Sequence, residues 1–122
     1  MTTERLELGV TGERMALDEL ERIGYEILER NFRCKAGEID AIARHGETLV
    51  FVEIKTRRGK SLAYAKEAVN ARKKRQLSKA ALAYMKANRV CDTSARFDVV
   101  AVSLTDGPPE VEVVTDAFEL AY

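Results

Sequence analysis

Cysteine, histidine and long apolar runs are all scarce in this chain. Its two cysteines, Cys34 and Cys91, are too few for a disulfide scaffold or a cysteine zinc site. They read as reduced thiols in a cytoplasmic protein. No apolar run approaches the ~20 residues that cross a bilayer, and the N-terminus has no signal-peptide core, so no membrane partner is expected. The single histidine, His45, falls at a predicted turn tip and reads as an exposed turn residue rather than a ligand or general base. No repeat, low-complexity stretch or linker divides the chain. Residues 1–122 therefore read as one domain, and a hydrophobic fraction of 46% suffices for its core.

Net charge is also missing: 20 basic residues balance 20 acidic ones. The balance hides a segregation. Residues 55–75 hold nine basic groups (Lys55, Arg57, Arg58, Lys60, Lys66, Arg72, Lys73, Lys74, Arg75) against Glu67 alone. Residues 92–122 hold seven acids against Arg96 alone. A basic block of this density suits a polyanion, although a solvated helix and loop would carry the same residues.

The stretch GEIDAIARHGETLVFVEIKTR, residues 37–57, predicts two strands and a tight turn. With Gly46-Glu47 as a two-residue turn, His45 pairs with Thr48, and paired numbers sum to 93. Asp40 then lies opposite Glu53, and Lys55 shares its face. Like charges ~4 Å apart repel by about 4 kcal/mol at an effective dielectric of about 20. Lys55 offsets part of that repulsion, and a divalent cation offsets more, because hard cations take carboxylate oxygens. The same charges also suit a cross-strand salt bridge on a solvated face. Phe51 on the face of Glu53 and Lys55 suggests a partly enclosed cleft, while Val50, Val52 and Ile54 line the other face.

The remaining elements follow from periodicity and punctuation. Residues 3–23 predict a helix, capped at Thr3 or starting later at Thr11-Gly12, and closed by Gly24. Its stripe is Gly9, Gly12, Glu13, Ala16, Leu17 and Leu20, whose small members permit close approach to a sheet. Glu13 is the odd member: a buried carboxylate is paired or metal-bound, and otherwise Glu13 lies at the stripe's edge and reaches water, or pairs with a neighbouring arginine. Tyr25 to Phe32 reads as a strand, and Glu38 as a polar strand end or a group supporting Asp40. Residues 56–61 read as a basic loop, and 62–69 as a short helix or ordered loop. Asn70 caps a helix over 71–88 with Leu77, Ala81, Tyr84 and Met85 buried and Lys73 and Ala80 at the flanks. Cations at Arg72 to Arg75 oppose the helix dipole, which suggests another use for them. Residues 95–104 and 110–115 predict strands around the Gly107-Pro108-Pro109 turn, and 116–122 a terminal turn or helix. The order α-β-β-β-α-β-β implies an α/β domain with a mixed sheet.

A helical Glu13, then Asp40 on a strand, then Glu53-Ile54-Lys55 on its partner resembles the PD-(D/E)xK nuclease superfamily. The stretches TGERMALDEL, GYEILERNFR, AVNARKKRQL and RFDVVAV extend the likeness over most of the chain. It looks closest to the YraN-like family of predicted endonucleases, related to Holliday junction resolvases. The resemblance implies a restriction-endonuclease-like core, a mixed central sheet flanked by helices with one additional C-terminal strand. It implies hydrolysis of phosphodiester bonds in branched or structured DNA. Asp40, Glu53 and Glu13 would hold Mg²⁺ or Mn²⁺, with Ile54 lending its carbonyl, and Lys55 would complete the catalytic set. Lys73 would meet a phosphate or support the transition state. Arg57, Arg58, Lys60, Arg72, Lys74 and Arg75 would join it in binding nucleic acid, DNA rather than RNA. The likeness to resolvases implies a homodimer. One departure stands out: family members often carry an aromatic-Gly pair after Lys-Thr-Arg, where this chain has Leu62-Ala63.

Overall fold

The computed structural model describes residues 3–59, 69–90, 93–105 and 107–119. Lys60, Leu62-Ala63, Cys91 and, apart from Val69, the short helix or loop expected over 62–69 lie outside them. The described elements run α1 (Thr3–Arg22), β1 (Glu26–Cys34), β2 (Gly37–His45), β3 (Thr48–Arg58), α2 (Ala71–Ala87), β4 (Ala95–Leu104) and β5 (Glu110–Phe118). The five strands form one sheet in the order β1-β2-β3-β4-β5. Only the β3–β4 pair is parallel, and α2 lies in the crossover that a parallel pair requires. This is a mixed α/β fold, as the element order implies.

The helices take opposite faces. Ala16, Leu17 and Leu20 of α1 pack on Ala41, Ala43, Val50, Val52, Val100 and Val102. Leu77, Ala80, Ala81 and Tyr84 of α2 pack on Ile39, Ile42, Leu49, Phe51, Phe97 and Val99. Strand alternation thus splits Val50 and Val52 from Phe51, as the pattern predicts. Phe51 is core rather than cleft wall, only 1% exposed and edge-on to Tyr84.

Both helices end as their sequences direct. Gly24, at φ 101°, closes α1: its amide donates to Glu21 and the amide of Tyr25 donates to Leu20. Asn70 caps α2 by accepting the amide of Lys73 at 2.9 Å. The hairpin register is also the predicted one. His45 pairs with Thr48 and Ala41 with Val52, around a Gly46 at φ 63°.

Two boundaries differ from expectation. Strand β3 continues through Arg58 where a basic loop is expected, because Thr56, Arg57 and Arg58 find parallel partners in Val102, Ser103 and Leu104. Strand β5 runs through Phe118 rather than turning at Asp116. A left-handed Asp116, φ 51°, sits in an irregularity of the β4–β5 register that carries the strand onward to pair Phe118 with Phe97.

Gly12 sets how close α1 comes to β3. A Cβ there would stand 2.0 Å from Thr56 Oγ1 and 2.7 Å from Thr56 Cβ. A β-branched side chain cannot swing aside as a lysine tip can. Gly12→Ala should therefore destabilise the fold by about 1–3 kcal/mol despite its better helix propensity. Gly9, with nothing within 4 Å, should instead gain stability on substitution by Ala. Urea unfolding of the two variants checks the contrast, and equal midpoints would contradict it.

Candidate functional site

The hairpin pairs regularly from its turn up to Ala41 and Val52, and its paired register ends there. Beyond it, the Ile54 amide donates to Asp40 Oδ2 at 2.7 Å. Asp40 is thereby fixed against β3, beside Glu53. The numbering that sums to 93 holds for the pairs from His45–Thr48 to Ala41–Val52 and does not extend to Asp40 and Glu53, where the Asp40 side chain takes the Ile54 amide.

Glu53 is the unusual member. It is only 5% exposed, on a central strand between β2 and β4. Lys55 Nζ stands 3.9 Å from its Oε1 and Lys73 Nζ 3.7 Å from its Oε2. Neither distance is that of a hydrogen bond. Oε2 is buried and has no hydrogen-bond partner among the described residues. Burial, and then the adjacent Asp40 carboxylate, push the Glu53 carboxyl from 4.5 up to about 8, with Lys73 and Lys55 pulling against them. Most buried polar atoms are satisfied, so an orphaned carboxylate oxygen beside a second carboxylate needs a reason. The donor set fits a hard divalent cation, which takes oxygen ligands and often one or two carboxylates.

Glu13 is not part of this set. Helix α1 covers the face opposite α2, whereas Glu53 meets Lys73 of α2. The Glu13 carboxylate accepts from Asn31 Nδ2 at 3.2 Å and faces Arg30 Nη2 at 3.7 Å, both on β1. The structure places Glu13 with Asn31 and Arg30 and does not bring it to Asp40 and Glu53. No group of three potential His, Cys, Asp or Glu ligands converges among the described residues. Glu38 likewise pairs outward, with Arg33 Nε at 3.7 Å.

The basic residues divide by environment. Arg72 and Arg75 are exposed on the first turns of α2. Lys73 is turned to Glu53, and the ammonium of Lys74 lies 5.6 Å from the centre of the Phe118 ring. Arg57 and Arg58 extend β3 beyond Lys55, half-buried and exposed respectively, each with interactions of its own. No described helix is long and apolar enough to cross a membrane.

A second polar cluster escapes sequence reasoning. Asp98, with no exposed surface, accepts from Tyr25 Oη at 2.6 Å, Arg96 Nε at 3.0 Å and the Asp116 amide at 2.9 Å. Arg96 Nη2 also reaches Tyr25 Oη at 3.0 Å and His45 Nδ1 at 2.9 Å. His45 stacks on Tyr25, with ring centroids 4.2 Å apart, so it is a half-buried packing residue and not the exposed turn residue expected. Burial, then the bond to Asp98, push the Tyr25 hydroxyl up to about 12, and that same carboxylate raises Arg96. The signal in the sequence is the lone Arg-x-Asp inside the apolar run ARFDVVAVSL.

Residues 12–102 match the family described as uncharacterised protein family UPF0102, a span that contains Asp40, Glu53, Lys55, Lys73 and Asp98. A UPF0102 protein of Geobacter sulfurreducens is 52% identical over 116 residues, covering 94% of this chain and 91% of its own. One from Geobacter metallireducens is 48% identical over 122 residues and covers both chains fully. One from Syntrophus aciditrophicus is 49% identical over 120 residues, 98% of this chain and 94% of its own.

Proposed function

We propose that this chain, which belongs to the family UPF0102, is a divalent-metal-dependent endonuclease of the PD-(D/E)xK type that hydrolyses phosphodiester bonds in structured DNA. The observation that carries the reading is the buried Oε2 of Glu53, without a hydrogen-bond partner among the described residues, set beside Asp40 and near Lys55 and Lys73. Asp40 and Glu53 would hold Mg²⁺ or Mn²⁺, and the ion would supply Lewis-acid activation of the scissile phosphate and of the attacking water. Asp40 is held in place for this by the Ile54 amide. Lys55, two residues from Glu53 on the same face, orients the attacking water and receives developing negative charge. Arg57, Arg58, Arg72 and Arg75 form the rim that meets flanking phosphates, which position the strand without reading its sequence. Shape therefore selects the DNA. A homodimer, which would cut two strands of a junction, is part of the same proposal.

Cleavage of a four-way junction, a flap and plain duplex in Mn²⁺ tests the reading. A structured substrate should be cut in preference to duplex. Lys55→Ala should lower the rate by about a hundredfold while leaving metal binding measurable. No cleavage of any substrate by the wild type would reject turnover. One observation favours a second reading, a DNA-binding module that keeps the fold without useful turnover: Glu13, the third acid, is engaged elsewhere. Under that reading DNA binds equally well with and without metal and remains intact.

A further inference from the structure

We propose that Lys73 is the cation that stands in for the metal: its ammonium lies against Glu53 Oε2 in the metal-free protein, and metal entry drives it out toward the substrate phosphate. This rests on the metal-site reading above and adds to it an exchange of one cation for another.

The two lysines around Glu53 are not equivalent. Lys55 belongs to the same strand, two residues on, and approaches Oε1. Lys73 arrives from another element and approaches Oε2, the oxygen that no hydrogen bond among the described residues satisfies. Its 3.7 Å separation exceeds a hydrogen bond, so the ammonium balances charge there without saturating the oxygen. The backbone of Lys73 is pinned, because its amide is the one that the Asn70 cap accepts. Only its four-carbon side chain, 35% exposed, is left to move.

Electrostatics give the direction of movement. The first turn of α2 contains no acid, and a cation there opposes the helix dipole, so among the described residues Glu53 is the acid that compensates the charge of Lys73. A divalent ion on Glu53 would take over that compensation and repel the ammonium. The neighbouring Arg72 and Arg75 already face solvent on the same turns. A displaced Lys73 would join them, so that filling the site adds one cation to the phosphate-binding rim at the moment the ion arrives.

Two measurements on the full chain at pH 8.5, with Mn²⁺ as the probe, test the exchange. Lysine acylation followed by mass spectrometry should show Lys73 becoming several-fold more reactive when Mn²⁺ is added to the wild type, and unchanged in Glu53→Gln. Calorimetric titration should show Lys73→Met binding Mn²⁺ about fivefold more tightly than the wild type, since a repelling charge has been removed. Lys73→Met should at the same time bind DNA more weakly in the presence of Mn²⁺. A residue that merely contacts phosphate would leave the affinity for Mn²⁺ unmoved, and one that merely supports Glu53 would lower it when removed. Mn²⁺ binding by the wild type with the reactivity of Lys73 unchanged overturns the exchange and leaves the metal site standing. Absence of Mn²⁺ binding in both proteins overturns the metal site and the exchange together.

Discussion

Glu53→Gln should make the metal-free protein more stable at alkaline pH and leave its stability near pH 4 little changed. The sign follows from linkage. In the folded chain the Glu53 carboxyl is pushed up to about 8 from 4.5, by burial first and then by Asp40. A raised carboxyl binds its proton more tightly in the native state than in the unfolded one. Its contribution to stability is therefore fully present below about 4.5 and is lost as pH rises to about 8. The ceiling on that loss is about 5 kcal/mol, the free-energy equivalent of moving a carboxyl over this range. Glutamine has nearly the same shape, cannot ionise, and brings an amide that can donate to Asp40. Urea unfolding of wild type and variant at pH 4, 6, 8 and 9 would show curves that diverge above pH 5. Added Mn²⁺ should then close the gap at pH 8, stabilising the wild type alone by the mass action of a ligand that needs the carboxylate. Parallel pH profiles would mean that Glu53 is solvated, and the case for a strained acidic pocket would fail with it.

What could be read from the sequence is what local chemistry decides. The hairpin register was legible because a two-residue turn fixes it and alternation of Val50, Phe51 and Val52 agrees with it. Leu77, Ala81 and Tyr84 of the α2 stripe were legible for the same reason, period and cap pointing one way, whereas Met85 is only half-buried and Ala80, expected at the flank, is core. The misreadings all lie where a distant partner decides. Arg57 and Arg58 look like loop residues until β4 offers them a parallel ladder. Asp116 looks like a strand's end until Asp98 accepts its amide. Glu13 falls on the stripe that faces the sheet, and a helix wheel cannot say that its carboxylate leans across to Asn31 and Arg30 on the edge strand. Near the site, sequence spacing put Asp40 with Glu53 and Lys55, but it could not show that Lys73 would share the same carboxylate. That contact depends on how the crossover seats α2, which no spacing between residues 55 and 73 encodes.

The Tyr25–His45–Arg96–Asp98 cluster is where loss of one side chain should cost the fold most. Asp98 is wholly buried, and its two oxygens accept from Tyr25, from Arg96 and from the main chain of β5. Through Arg96 the same carboxylate reaches His45 at the hairpin tip. Four parts of the chain thus converge on one charge: the start of β1, the β2–β3 turn, β4 and β5. Asp98→Ala removes the anion and leaves Arg96 without its partner, the Asp116 amide without an acceptor and the Tyr25 hydroxyl without its acceptor. Breaking a buried pair from one side costs about 3–5 kcal/mol, which in a domain of this size lowers the melting temperature by about 10–20 °C. Replacing both charges, as in Arg96→Met with Asp98→Leu, should cost clearly less than the two single changes added together, because no uncompensated charge then remains. Thermal and urea unfolding of the four proteins in that cycle give the coupling directly. The cluster packs with α1, on the face away from Lys73 and Glu53, so each variant that folds should still bind Mn²⁺. A loss below about 1 kcal/mol for Asp98→Ala, or strictly additive changes, would show that the cluster is solvated and that these four parts are held by apolar packing alone.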